Sequence, residues 1–156
     1  MKSPTPPHPK RIATDPTLAF MRLIWRIDHG LQSLSKRMEV THGLTVPQRM
    51  ALLLIGRTQG ILASELAEFL HLHPGTISGV IGRLESSGLI VRTTDASDAR
   101  RMRLTLSAAG RAANKKRSGT FELAARRVLA ISTPSEVESV RVVLTRLAEE
   151  LERGKR

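Results

Sequence analysis

The segment SELAEFLHLHPGTISGVIGRLESSG, residues 64–88, decides how this 156-residue chain is read. Within ASELAEFL, the spacing of Leu66, Phe69 and Leu70 predicts a short amphipathic helix with these three side chains inward. HLH makes a tight connection. Pro74 then opens a second helix expected to run to about Ser87, with Gly88 ending it in left-handed backbone. At about 100° per residue, Ile77, Val80, Ile81 and Leu84 share one side of this helix. Gly75, Gly79, Gly82 and Ser86 fall opposite, flanked by Ser78 on one edge and by Thr76 and Arg83 on the other. A helical glycine costs ~1 kcal/mol relative to alanine. Several on one face therefore point to a surface that must come very close to another. Helix–helix packing is one such case. A nucleic-acid duplex is the other: glycine admits the backbone, Ser and Thr hydroxyls reach phosphates or bases, and Arg83 binds guanine or phosphate. Two short helices joined this way match a helix-turn-helix, whose second helix enters the major groove.

The residues that follow extend this reading. GLIVRTT alternates, with Leu89, Val91 and Thr93 on one side. RMRLTL alternates with Met102, Leu104 and Leu106 on one side and Arg101 and Arg103 on the other. The polar stretch DASDARRMR, residues 95–103, makes the tip of a hairpin between them. A basic tip beside a recognition helix is a wing. Arg100, with Arg101 beside it, would enter the negative potential of the adjacent minor groove. Asp98 would repel phosphate, so its expected role is to hold Arg100 or a neighbouring arginine in shape.

Upstream, Asp15 is placed to cap a helix with Pro16 as its first residue. Phe20, Ile24, Ile27, Leu31, Leu34 and Met38 then recur at 4-3-4-3-4, widened by Leu18, Met21 and Trp25. Thr45 and Gln48 have capping-box spacing before the apolar run MALLLIG, a buried central helix whose end is marked by Gly56 and Gly60. Downstream, Ser107 caps a fifth helical segment continuing through RAANKKRSGTFELAARRVLA, with Gly119 inside it as a bend. Thr133 and Glu136 box the last helix, where Val137, Val140, Leu144, Leu147 and Leu151 repeat at 3-4-3-4. Six helical segments and one hairpin result. The terminal stripes are too broad for the core to cover, and a monomer would expose a large apolar patch. Pairing with a second copy through the first and last helices removes it.

Composition narrows the function classes. The net charge of +11 points to a polyanionic partner or an anionic surface. The excess is +6 over residues 1–60, zero over 61–106 and +5 over 107–156. Basic residues outside the core, such as Lys36 and Lys115, read as solvated faces that add long-range attraction. There is no cysteine, which removes disulfides and thiolate chemistry from this chain and fits a reducing cytosol. No apolar run approaches the ~20 residues of a membrane span. Four prolines among the first nine residues predict a disordered basic tail over 1–13. Three Phe, one Trp and no Tyr disfavour a single-strand stacking platform. His71 and His73 form an HxH without paired acids or cysteine, so turn or phosphate-contact roles are preferred to a metal site. Glu65 and Glu68 read as solvated. The chain shows no nucleophile–base arrangement and no phosphate-cradling glycine loop, and an enzyme is not expected.

Residues 44–110 resemble the winged-helix core of the multiple-antibiotic-resistance regulator (MarR) family. SELAEFL, TISGVIGRLESSGLIVR and DARRMRLTLSAAG carry the likeness. The resemblance implies a homodimer on pseudo-palindromic double-stranded DNA. It also implies DNA contacts from Ser64, Thr76, Ser78 and Arg83, with Asp98 and Arg100 as a wing pair. It further implies a small, often aromatic or anionic effector between the dimerisation helices and the core, where Arg22, Trp25, His29 and Met50 are the lining candidates. The glycine-rich face departs from the family pattern. It leaves few long side chains to read bases, so shape and phosphate contacts do much of the recognition.

The expected fold is therefore mainly α with a small β-hairpin wing. A winged helix-turn-helix over 46–106 is flanked by dimerisation helices over 14–45 and 107–153, in one domain over 14–156. The expected DNA-binding set is Ser64, His73, Gly75, Thr76, Ser78, Gly79, Arg83, Asp98, Arg100 and Arg101. The expected function is a cytoplasmic, sequence-specific transcriptional regulator, a homodimeric repressor modulated by an effector, with no metal or cofactor. The alternative is a nonspecific or architectural duplex binder.

Overall fold

The computed structural model describes residues 15–96, 98 and 100–153; the tail expected over 1–13 lies outside the described residues. Helix α1 spans Pro16–His42 and α2 spans Val46–Arg57. Strand β1 is Ile61–Leu62, followed by α3, Ala63–Phe69, and α4, Pro74–Ser86. Strands β2 (Ile90–Thr94) and β3 (Met102–Leu106) form the hairpin. Helices α5 (Ala108–Lys115), α6 (Phe121–Ile131) and α7 (Pro134–Arg153) complete the chain. It divides into two compact units, one up to Lys116 and one from Arg117 onward.

Local chemistry fixes most helix starts. The Asp15 carboxylate accepts the Thr17 N–H at 2.8 Å, with Pro16 as the first helical residue. Thr45 and Gln48 close a reciprocal capping box at the head of α2. The Ser107 hydroxyl accepts the Gly110 N–H at 3.0 Å. Gly43 and Gly88 supply the positive φ of +68° and +67° that ends α1 and follows α4.

In the first unit, α2, α3, α4 and the sheet close over one core. Leu52, Ile55, Leu66, Leu84 and Leu104 are its largest fully buried side chains. The sheet has three antiparallel strands in the order β1-β3-β2, with Ile61 opposite Leu104 and Ile90 opposite Leu106. The hairpin is stapled at its open end: Ser107 Oγ donates to the Gly88 carbonyl at 2.6 Å and Ser107 N–H to the Leu89 carbonyl at 3.0 Å. Gly110 lies so close to the Leu89 carbonyl that a Cβ there would overlap it.

The structure refines or corrects the sequence expectations in five places. First, the short strand β1 joins the hairpin, making a three-stranded sheet. Second, the inward residue of β2, which alternation leaves open, is Ile90, buried with Leu104 and Leu106, and Leu89, just before the strand, packs against the same core. Alternation shows which residues share a face, not which face is inward. Third, Phe69 is 62% exposed. The chain turns at His71, with φ +49°, and Leu72 takes the core side in its place, beside Leu70 as expected. Fourth, α2 ends at Arg57, just after Gly56 as expected, but Leu53 and Leu54 are half-buried rather than buried all round. Gly56 sits where a Cβ would overlap the Asn114 side chain.

Fifth, the expected fifth helical segment is two helices. Arg49, 2% exposed, sends its guanidinium to the carbonyls of Ala113 at 2.9 Å and Asn114 at 3.1 Å. Those are the acceptors that the N–H groups of Arg117 and Ser118 would take if α5 continued. Arg49 thus caps the last carbonyls of α5, which ends at Lys115, with the Ala113 carbonyl also accepting the Lys116 N–H at 3.1 Å. Gly119, at φ +69°, then lets the chain turn before α6.

Candidate nucleic-acid interface

Helix α4 is anchored by its apolar side. Ile77, Val80, Ile81 and Leu84 are buried against the core. Its opposite side is open: Gly75, Thr76, Ser78, Gly79, Arg83 and Ser86 are exposed and Gly82 is half-buried. A Cβ built on Gly79 meets no atom within 4 Å, and one on Gly82 meets only the end of the Arg92 side chain at 4.0 Å. Packing within the chain therefore does not explain these two glycines. His73 caps the helix, its Nδ1 accepting the Gly75 N–H at 3.2 Å. That bond places the ring proton of a neutral His73 on Nε2. Ser64 is exposed in the first turn of α3, where Glu65 accepts the Leu62 N–H at 2.9 Å. Glu65 is thus a capping group as well as a surface acid.

The wing is held by two carboxylates. Asp98 Oδ1 accepts the backbone N–H of Arg100 at 2.9 Å, and its Oδ2 pairs with the Arg101 guanidinium at 3.4 Å. The expected pairing therefore falls on the neighbour: Asp98 shapes Arg100 through the main chain and Arg101 through the side chain. Both arginines are exposed. Asp95, by its sequence a turn acid, is only 4% exposed. Its carboxylate pairs with Arg103 and also accepts the Asp98 N–H at 3.1 Å. The hairpin is tied to the recognition helix by Arg92 on β2, whose guanidinium pairs with Glu85 at 2.7 Å. The Asp95–Arg103 and Glu85–Arg92 pairs are not legible in the sequence, because each joins separate elements.

A groove of about 400 Å³ runs between α3, α4 and the sheet. Its wall is largely apolar, through Ile77, Met102 and Leu104, with Ser64, Ser78 and Arg92 as its polar groups. The effector candidates sit elsewhere. Arg22, Trp25 and His29 are exposed on α1, Trp25 by 76%, while Met50 is half-buried on α2. Among the described residues, no three or more metal-ligating side chains come together, and no helix is long and apolar enough to cross a membrane.

Known proteins share this arrangement. The family model described as MarR family matches residues 42–101. The HTH-type transcriptional repressor Rv2887 of Mycobacterium tuberculosis is 31% identical over 102 residues, covering 65% of this chain and 73% of that protein. A crystal structure of a probable transcriptional regulator from Pseudomonas aeruginosa is 31% identical, with a TM-score of 0.62 over 79% of this chain and 94% of that one. A MepR–DNA complex from S. aureus shares the fold, with a TM-score of 0.70 at 23% identity over 85% of this chain and 97% of that one. The glycine-faced helix, the arginine-tipped hairpin and these matches lead to one conclusion: the chain belongs to the MarR family of winged helix-turn-helix transcriptional regulators.

Proposed function

We propose that the chain acts as a homodimeric repressor of transcription that binds a pseudo-palindromic operator and is tuned by a small aromatic or anionic effector. The observation that carries this reading is the open glycine face of α4 beside the arginine-tipped wing. Helix α4 enters the major groove, with Gly75 and Gly79 admitting the backbone and Thr76, Ser78 and Arg83 reaching base edges or phosphates. Ser64 and the Nε2–H of His73 meet phosphate at the heads of α3 and α4. Arg100 and Arg101 reach the adjacent minor groove.

The dimer is supported by apolar surface. Leu18, Met21, Trp25 and Ile27 on α1 and Val140, Val143, Leu144 and Leu151 on α7 are all exposed in the single chain. A two-fold axis sets two recognition helices about 34 Å apart, one turn of DNA. A second protomer would also enclose Trp25, Arg22 and His29, which in the single chain stand open. An effector held there with Met50 shifts DNA affinity by favouring one spacing of the two recognition helices.

Selection of bound fragments from genomic DNA, followed by footprinting at physiological salt, tests this. The expected outcome is a defined, two-fold protected site, with affinity falling steeply as salt rises. Arg100→Ala is expected to weaken operator binding by roughly 1–3 kcal/mol. The near absence of long side chains on the α4 face favours a second reading, a nonspecific duplex binder. Uniform protection along the DNA would select that reading and reject the first.

A further inference from the structure

Asp95 presents a problem of charge. A carboxylate on a DNA-facing hairpin repels phosphate, and burying it is costly unless it is paired. It is nonetheless buried at the root of the wing. Its partners explain the placement. Oδ2 takes the Nε–H of Arg103, and Oδ1 takes the Asp98 N–H at 3.1 Å. Arg103 reaches further: its Nη1 donates to the Gly60 carbonyl at 3.1 Å, in the turn between α2 and β1. The Gly60 N–H returns to the Leu104 carbonyl at 3.0 Å, so that turn and β3 are joined from both sides. At the other end Asp98 accepts the Arg100 N–H, and main-chain bonds link Asp95 with Arg101 and Arg101 with Asp98, each at 2.9 Å. A continuous series of bonds thus runs from the helix-turn-helix frame, through Arg103 and Asp95, to the main chain of Arg100.

We propose that Asp95 is a positioning residue for DNA binding: its buried carboxylate, clamped by Arg103, fixes the pose of the wing tip so that Arg100 meets the duplex in one geometry. This rests on the reading of the chain as a duplex-DNA binder. Asp95 itself touches no DNA and acts through Arg100. Arginine is required at 103 because it serves two acceptors at once, on Asp95 and on Gly60, with donors set in a rigid fork. A lysine there keeps the charge but lacks the rigid fork that spans both acceptors.

The test is a double-mutant cycle on the full-length protein with the selected operator duplex, read as affinity against salt. Asp95→Asn keeps the volume of the side chain but turns an amide N–H₂ toward a donor. It is expected to weaken operator binding about tenfold and, by leaving a buried donor unmatched, to lower the melting temperature. It is also expected to reduce the slope of log K against log salt by about one, as Arg100→Ala does. In the Arg100→Ala background, Asp95→Asn should then cost little more. Arg103→Lys, a change at a half-exposed side chain that leaves the core intact, should fall between wild type and Asp95→Asn. It carries the same cycle because Asp95→Asn is expected to lower the melting temperature. A wild-type protein with no preferred duplex overturns the DNA reading, and this proposal with it. A wild type that binds its operator, with Asp95→Asn and Arg103→Lys binding equally well or with losses that add in full to that of Arg100→Ala, overturns the role of Asp95 alone.

Discussion

Glycine serves opposite ends at two positions of this chain. At Gly79 a Cβ would meet open space, so alanine there fits the folded protein and improves helix propensity. Gly79→Ala is expected to stabilise the fold by about 0.5–1 kcal/mol while weakening operator binding by roughly 1–3 kcal/mol. Thermal melting and DNA titration of one protein sample check both signs; a gain in stability with unchanged affinity would mean that the duplex does not approach this face. At Gly110 the same change drives a methyl group into the Leu89 carbonyl, and a loss of about 1–3 kcal/mol or more is expected from denaturant unfolding. The sequence distinguishes these cases only in part. Gly75, Gly79 and Gly82 are recognisable together because helical spacing puts them on one face. Gly110 in SAAGR carries no local mark of the strand packed against it. Asp95 is similar: in DASDA it is a turn acid like Asp98, and only the fold reveals that one is buried and the other is not.

At the scale of the element, what the sequence discloses follows from the range of the interactions. Caps act over three residues, and the starts of α1, α2, α4, α5 and α7 fall where Asp15, Thr45, Pro74, Ser107 and Thr133 predict them. The end of α5 is capped by Arg49, 64 residues away from its acceptor on Ala113, and no short window of sequence contains both partners. The cap of α7 responds to pH. Glu136 accepts the Thr133 N–H at 2.7 Å and the Thr133 hydroxyl at 2.8 Å, which hold its carboxyl below the ordinary value of 4.5. A depressed folded-state value means the cap contributes fully above the ordinary value and is lost as pH falls through the lower one. In an NMR titration the Glu136 side chain should titrate below 4.5, with fraying of the first turn of α7 following the same curve. Glu136→Gln keeps an acceptor without a titrating charge and should abolish that pH dependence. A curve unaffected by the substitution would assign the transition to another group.

For the molecule as a whole, the charge and the apolar stripes belong to different tasks. The net +11 is suited to drawing the protein to DNA over distance, while the residues proposed to read it lie in the electrically neutral stretch 61–106. The stripes on α1 and α7 were legible because their period is regular and nothing else in the sequence could cover them. Leu144→Asp is expected to shift the protein to monomer in sedimentation and to lower operator affinity about a hundredfold, since two linked sites become one. A dimer that survives the change would move the interface away from α7. The staple at Ser107 bears on how such a dimer responds to a ligand. The last residues of the reading head, Gly88 and Leu89, are fastened to the entry of α5 by two short bonds and by a contact at Gly110 with no slack in it. A displacement of α5 is therefore expected to carry the foot of the reading head with it, and slow hydrogen exchange at the Ser107 amide checks that linkage.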